Sequence, residues 1–310
     1  VEMIPGAIMW TTFVLAILFS FVAPILAITF IIVFDLYWLL RVTYFVIYLI
    51  ASWRKYRLAS AEDWFAKLKE LPDWRKLYHI VFLPMYGEDV AIVRATIKAI
   101  RNSAYPNDRI MVVVSGEARE AARFEDVRRE LEKEFGGVFG KLLFTLHPEG
   151  LPDEIPGKGS NLNWAGHRVE EALLAEFPDV PAEDIVVSAF DVDTVAPPQY
   201  FAYLSYLYLT VPNPTRSSYQ PLTLFSNNIW FAAAPVRIAA FGTTFWLLTE
   251  FARPDRLWTF SSHAMPWKML LDVGFWQKDI VSEDSRIFLQ GLLRYEGDYR
   301  VTPMYIGVSM

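Results

Sequence analysis

The sequence contains no cysteine. That excludes disulfides, thiolate metal sites and cysteine nucleophiles, and it leaves the redox compartment open. Histidine is scarce as well. The four present (His79, His147, His167, His263) are not spaced from one another as metal ligands are, so each reads first as a packing or surface side chain. There is no basic stripe, and the formal net charge is −6, which argues against nucleic acid as a main partner. Charge is also nearly missing between Ile4 and Ala51, where Asp35 and Arg41 stand alone. What fills the composition instead is apolar: 54% of the 310 residues are hydrophobic and 16% aromatic, high for a soluble protein.

A membrane-spanning helix needs about 20 apolar residues, so the Ile4–Ala51 run suits two helices better than one. It is too long for a signal peptide and has no basic leader. The turn between the helices falls either near Pro24, which leaves a first helix of minimal length, or near Asp35-Leu36-Tyr37-Trp38, the favoured choice, with Pro24 then a kink in a long, tilted first helix. That choice lets Asp35 cap the second helix and keeps its charge out of the hydrocarbon centre, where it costs at least about 2.5 kcal/mol. Arg54, Lys55 and Arg57 follow at once, between Trp53 and Tyr56. The positive-inside rule then places everything after them in the cytosol. Three regions result: a membrane region over 1–54, an amphipathic linker along the membrane surface over 55–77, and a cytosolic domain over 78–310.

From Tyr78 onward the pattern alternates. Apolar runs at 78–83, 110–114, 141–146 and 185–190 read as strands, and the segments 90–102, 117–135 and 161–176 read as helices. Strands that are apolar throughout are covered on both faces, and repeated βα units give a mainly parallel sheet. The fold class is therefore α/β and Rossmann-like, with helices on both faces of the sheet. In such sheets ligands bind at the carboxyl ends of the strands. Tyr86, Ser115 and Asp191 all fall at such ends. Further on, 199–211 reads as an aromatic-rich helix, 219–225 as a strand, and 299–307 as a last strand. The apolar stretch 229–251, interrupted by Pro235, Arg237 and Gly242, reads as a core or interfacial helix pair rather than a third span.

Three short motifs carry chemistry. In Asp191-Val192-Asp193 two carboxylates at i and i+2 share one side of an extended chain, and a hard divalent cation is the usual remedy for such a pair. Pro156-Gly157-Lys158-Gly159-Ser160-Asn161 is not a Walker loop, because Pro152 and Gly159 occupy positions where that pattern needs Gly and Ser/Thr. A glycine-flanked lysine ahead of a helix is still a diphosphate contact in form. Ser282-Glu283-Asp284 has the composition of a capped helix start, and it also offers a carboxylate as a general base.

The order of these motifs is distinctive. Pro84-x-Tyr86-x-Glu88 ends the first strand. Gly157-Lys158-x-x-Asn161-x-Asn163-Trp164-Ala165 follows, then Phe190-Asp191-x-Asp193-Thr194 and Gln220-Pro221. Last come Gly274-Phe275 and, six residues on, Ser282-Glu283-Asp284, with Leu289-Gln290-Gly291-Leu292 behind. From Tyr78 to the last residue the chain resembles the membrane-bound family-2 glycosyltransferases, the class of cellulose, chitin and hyaluronan synthases. The resemblance implies a GT-A fold, a nucleotide-sugar donor (a UDP-sugar by first expectation), and Mg2+ or Mn2+. It implies a polysaccharide or lipid-linked acceptor reached at the cytosolic face, with membrane lipids around the anchor. By position, Tyr86 and Glu88 would line the nucleotide pocket, with Lys158 and Asp191 near the donor. Asp193 would ligate the metal, and Asp284 would be the base of an inverting displacement. Glu283 and His263, the latter in Phe260-Ser261-Ser262-His263, would lie on the acceptor side.

Two departures stand out. The family's Asp-Asp pair after the second strand is replaced by Val114-Ser115-Gly116-Glu117, with Glu117 as the candidate substitute in donor binding. The Gln-x-x-Arg-Trp motif is absent before Met310, so the sequence is expected to be truncated ahead of it. The first departure keeps a rival open: a catalytically inactive, nucleotide-sugar-binding subunit of a membrane assembly.

Overall fold

The structure, a computed structural model, describes residues 3–227 and 229–310. It divides into two bodies, Val1–Ala51 and Ser52–Met310. Two helices, α1 (Ile4–Val22) and α2 (Pro24–Ser60), are long and apolar enough to cross a membrane by length and composition. Their break lies at Ala23 and not at Asp35. A residue before proline is pushed out of the helical region, and Ala23 takes φ −146°, ψ 68°. Pro24, whose missing N–H costs nothing at a helix start, then opens α2. Asp35 lies inside α2, exposed. At 37 residues, α2 is about 55 Å long, and its last turns, from Ser52, belong to the second body.

Within the 55–77 stretch, residues up to Ser60 continue α2 and the rest packs onto the second body. After α2, a short helix α3 (Trp64–Lys69) is capped by Asp63, which accepts from Ala66 N–H at 3.0 Å. Leu68 is fully buried, and the Trp64 ring stacks on Tyr203 at 4.0 Å.

The rest alternates as the sequence predicts: β1 (Tyr78–Pro84), α4 (Val90–Arg101), β2 (Ile110–Glu117), α5 (Ala121–Phe135), β3 (Lys141–His147), α6 (Lys158–Glu176), β4 (Ile185–Ala189), α7 (Tyr200–Thr210) and β5 (Ser217–Leu224). Then come α8 (Ala234–Glu250), β6 (Ala264–Pro266), α9 (Trp267–Val273), α10 (Glu283–Arg294) and β7 (Arg300–Ser309). The helix periodicity shows why these segments fold. α4 buries Val93, Thr96, Ile97 and Ile100, an i, i+3, i+4, i+7 stripe, and Asp89 caps it by accepting from Ala91 N–H at 2.9 Å. α5 buries Phe124, Val127, Leu131 and Phe135 on the same period.

The seven strands form one sheet in the order β3-β2-β1-β4-β6-β5-β7. β1, β2, β3 and β4 run parallel, β5 and β7 run parallel, and β6 is antiparallel to both β4 and β5. Phe82 pairs with Val113 on one side and Ala189 on the other, so β1, β2 and β4 end nearly level. That register brings the residues after each strand, including Tyr86, Glu117 and Asp191, to one edge of the sheet.

The 229–251 region is not a buried helix pair. A 3-10 turn (Ile229–Phe231) precedes the single helix α8, and Trp230, Phe231, Ile238, Phe241 and Phe245 are all exposed.

Candidate functional site

Two adjacent cavities open at the carboxyl edge of the sheet. The larger, about 600 Å3, is lined by Tyr86, Glu88, Glu117, Arg119, Lys158, Asn161, Asp191 and Asp193 among others. The smaller, about 320 Å3, is lined by Lys158, Asp191, Ser261, Glu283 and Asp284 among others. Lys158 and Asp191 belong to both walls.

Lys158 is the first residue of α6. Gly159 behind it lets that helix approach the loop before α10, since a Cβ there would stand 2.9 Å from the Gln277 carbonyl oxygen and 3.2 Å from Glu283 Cβ. Asn161 ties the same turn to β2 by donating from Nδ2 to the Ser115 carbonyl at 3.1 Å. The Lys158 ammonium therefore has a fixed place. It donates to Asp191 Oδ1 at 2.6 Å and to both Asp284 oxygens at 3.0 Å, and lies 3.3 Å from Glu283 Oε1. Burial alone would lower its pKa, but the charges of Asp284, Asp191 and Glu283 outweigh that and raise it, so it stays charged.

The same contacts separate the acids. Burial pushes the Asp284 carboxyl up, but Lys158 more than offsets it and holds the group below the usual carboxylate range. Ser261 Oγ donates to Asp284 Oδ2 at 3.1 Å, and Thr259 Oγ1 donates to its carbonyl at 2.5 Å. Glu283 is shifted the other way, by burial and then by the neighbouring Asp284 charge. Asp193 is also pushed up, by burial and then by Asp191.

Asp191 and Asp193 sit on a turn rather than on the strand itself, because β4 ends at Ala189 and Thr194 N–H closes back on the Asp191 carbonyl at 2.9 Å. They still line one cavity together, and Asn227 Nδ2 holds the turn by donating to the Asp193 carbonyl at 2.8 Å. Glu88 accepts from Tyr86 N–H at 2.6 Å across the tight turn at Gly87, whose φ is +90°.

Tyr86, Glu88, Glu117, Lys158, Asp191 and Asp193 thus share one cavity, and Lys158, Asp191, Glu283 and Asp284 share the other. His263 lines neither. It is fully buried, its Nδ1–H donates to the Phe260 carbonyl at 2.8 Å, and it stands 3.7 Å behind Asp284 Oδ1. Direct acceptor contact is therefore withdrawn for His263, because the 260–263 segment turns its ring into the core. Ser282, expected to cap α10 through its side chain, makes no such bond. Sequence reasoning passed over Arg119, whose guanidinium lies 4.5 Å over the Tyr86 ring and 3.5 Å from Glu117 Oε2. It also passed over His147, which donates from Nδ1 to Glu117 Oε2 at 3.2 Å and has Nε2 3.0 Å from Glu154 Oε1. The available signal was register: Glu117 and His147 are cross-strand partners.

The α/β body, with this strand order and its polar cavities at the strand ends, has a GT-A-type fold. No protein-family model matches the sequence, and no curated protein does. Among solved structures the chain is similar to the mannosyltransferase PcManGT from Pyrobaculum calidifontis in complex with GDP-Man and Mn2+. The identity is 18% and the TM-score 0.51, over 86% of this chain and 68% of that one. It is also similar to TarS 1–349 from S. aureus in complex with UDP-GlcNAc, at 10% identity and a TM-score of 0.46, over 76% of this chain and 58% of that one. At 18% identity the likeness to the mannosyltransferase is one of fold.

Proposed function

We propose that the chain is an inverting, family-2-type glycosyltransferase that moves a sugar from a nucleoside-diphosphate donor to an acceptor hydroxyl at the cytosolic membrane face. The observation that carries this is the Lys158 ammonium, held between Asp191 in the larger cavity and Asp284 in the smaller one. The larger cavity suits the donor and the smaller one the acceptor. As the acceptor oxygen bonds to the anomeric carbon, the bond from that carbon to the diphosphate oxygen breaks. Asp284, kept ionised by Lys158, takes the acceptor proton. Lys158 stabilises the charge that develops on the leaving diphosphate.

A divalent cation, Mg2+ or Mn2+, fits the charge of the site. The two cavities together present six carboxylates (Glu88, Glu117, Asp191, Asp193, Glu283, Asp284) against two cations, Lys158 and Arg119. A diphosphate entering that excess of negative charge requires a cation with it. Asp193 is the residue that would hold it: its carboxyl is pushed up by burial and by Asp191, and among the described residues no side chain donates to that carboxyl. Among the described residues no group of three or more His, Asp or Glu forms a closed metal cage, so the diphosphate itself would complete the coordination. When bound, the cation supplies charge to the leaving group.

A lipid-linked or membrane-delivered acceptor is supported by α8. Trp246 near its end packs edge-on against Phe260 at 5.2 Å, next to the Ser261 that donates to Asp284. The exposed apolar helix thus leads to the acceptor cavity.

The test is turnover of a panel of nucleotide sugars by the full chain in detergent or bilayer. Asp284→Asn should cut turnover by about 10²–10⁴-fold and leave donor binding in place. Equal turnover by the variant would remove Asp284 as the base. Donor binding without turnover in the wild type would favour the inactive-subunit reading.

A further inference from the structure

Gln220 lines neither cavity, yet it is fully buried in β5 with its side-chain amide engaged at both ends. Among the described residues β5 pairs with β6 at Tyr219 and Ala264 only. Pro221 has no N–H with which to lengthen that ladder. The Gln220 side chain takes over. Its Oε1 accepts from Phe260 N–H at 2.7 Å, and its Nε2 donates to the Ser261 carbonyl at 3.3 Å and to the Pro221 carbonyl at 3.0 Å. A primary amide offers the same donor and acceptor as a peptide group, so it pairs backbone that the short ladder leaves over.

The clamped segment is the one that grips Asp284. Ser261 Oγ donates to Asp284 Oδ2, Thr259 Oγ1 donates to the Asp284 carbonyl, and Ser285 Oγ donates back to the Thr259 carbonyl at 3.2 Å. Ser262, next along, is fully buried and held at φ +61°, a left-handed backbone that a residue with a Cβ adopts at a cost. Its hydroxyl lies 2.7 Å from Thr194 Oγ1 and accepts from Asp191 N–H at 3.4 Å. Residues 259–262 thus brace the base and the Asp191 turn together.

Resting on the assignment of Asp284 as the base, we propose that Gln220 is a positioning residue for the transfer, acting through Ser261 to fix the rotation of the Asp284 carboxylate. The terminal torsion of an aspartate is soft. Lys158 bonds both Asp284 oxygens at 3.0 Å and so fixes place and charge without distinguishing them. Ser261 bonds Oδ2 alone. Among the described residues that leaves Oδ1 with Lys158 as its donor, free to take the acceptor proton.

The full chain in detergent, with its aspartates carbon-13-labelled at the carboxyl, tests this by NMR titration of Asp284, whose signal is the one lost in Asp284→Asn. The charged and titratable groups facing Asp284 are Lys158, Asp191, Glu283 and His263. Burial raises its carboxyl, and Lys158, His263 and the Ser261 hydroxyl lower it. Ser261→Ala removes the last of these, so the midpoint should rise by about one pH unit. Gln220→Met should move it the same way. So should Gln220→Asn, which keeps an amide but withdraws it by one methylene. Neither should move it further once Ser261 is alanine. Packing loss alone would lower the melting temperature with the midpoint unmoved, or shift it equally in both backgrounds, and either result overturns the proposal. With an active wild type, the acid limb of kcat should follow the midpoint while nucleoside-diphosphate binding stays unchanged. Normal turnover with unmoved midpoints sinks the positioning role alone. A wild type that turns over no donor sinks the base assignment, and the positioning role with it.

Discussion

Lys158 and Asp193 set opposite electrostatic demands on their surroundings. Lys158 is satisfied three times over, by Asp191, Asp284 and Glu283. Removing one partner of a buried ion pair leaves an uncompensated charge and costs about 3–5 kcal/mol, so these carboxylates depend on the lysine for the fold as well as for chemistry. The lowered Asp284 pKa fixes a sign: its stabilising contribution is complete above the ordinary aspartate value and fades only as pH falls through the lowered one. Asp193 is the converse. Its raised pKa means that its charge opposes the ligand-free fold, increasingly so as pH rises above the ordinary value. Asp193→Asn should therefore leave the melting temperature of the metal-free protein no lower than wild type, while abolishing the Mn2+ dependence of donor binding. Calorimetric melting and a Mn2+ titration read the two halves separately, and an unchanged titration would remove Asp193 from the metal site.

At the scale of elements, α8 lies in the second body yet has surroundings unlike those of a soluble core helix. Val236, Ile238, Phe241, Phe245 and Trp246 are exposed, and Arg237 is the only charge before Glu250. The end of α8 is joined to β7 where Tyr305 Oη donates to the Phe251 carbonyl at 2.9 Å. The Lys55 ammonium, in the basic and aromatic last turns of α2, lies 5.4 Å over that same Tyr305 ring. Such an apolar face is suited to the lipid interface. The absence of cysteine makes this easy to check, since an introduced cysteine takes a label alone. A polarity-sensitive fluorophore at Ile238→Cys, in the full chain in bilayers, should emit to the blue and be quenched by brominated lipid. The same label at Lys133→Cys on α5 should report water. Identical spectra at the two positions would place α8 away from lipid.

Much of this was legible because the period of the apolar residues is local information. α4, α5 and the four parallel strands follow from it directly, and Asp191, Lys158 and Asp284 stand out as motifs. β6 was not legible: three residues carry no period, and its pairing depends on β4 and β5 from distant parts of the chain. Of the two turn positions the sequence offers, the backbone restriction before Pro24 decides for Ala23 over the cost of placing the Asp35 charge in hydrocarbon. His147 and Arg119 were missed because their roles exist only once β2 and β3 are in register.

For the whole molecule, the site is a product of long-range assembly. Lys158, Asp191 and Asp284 come from α6, the end of β4 and α10, and the lysine reaches across 126 residues of chain to Asp284. The two cavities share that one cation as their common wall. The consequence is an interlock. On the proposed chemistry, the ammonium facing Asp284 would damp its basicity while no donor is bound, so a bound acceptor would not be deprotonated to no purpose. A diphosphate would draw the ammonium's field toward itself and arm the base. Turnover should then follow a compulsory order, donor before acceptor, with the nucleoside diphosphate product competing against donor alone. Initial-rate product-inhibition patterns decide it, and a random-order pattern would show that the lysine does not gate the base.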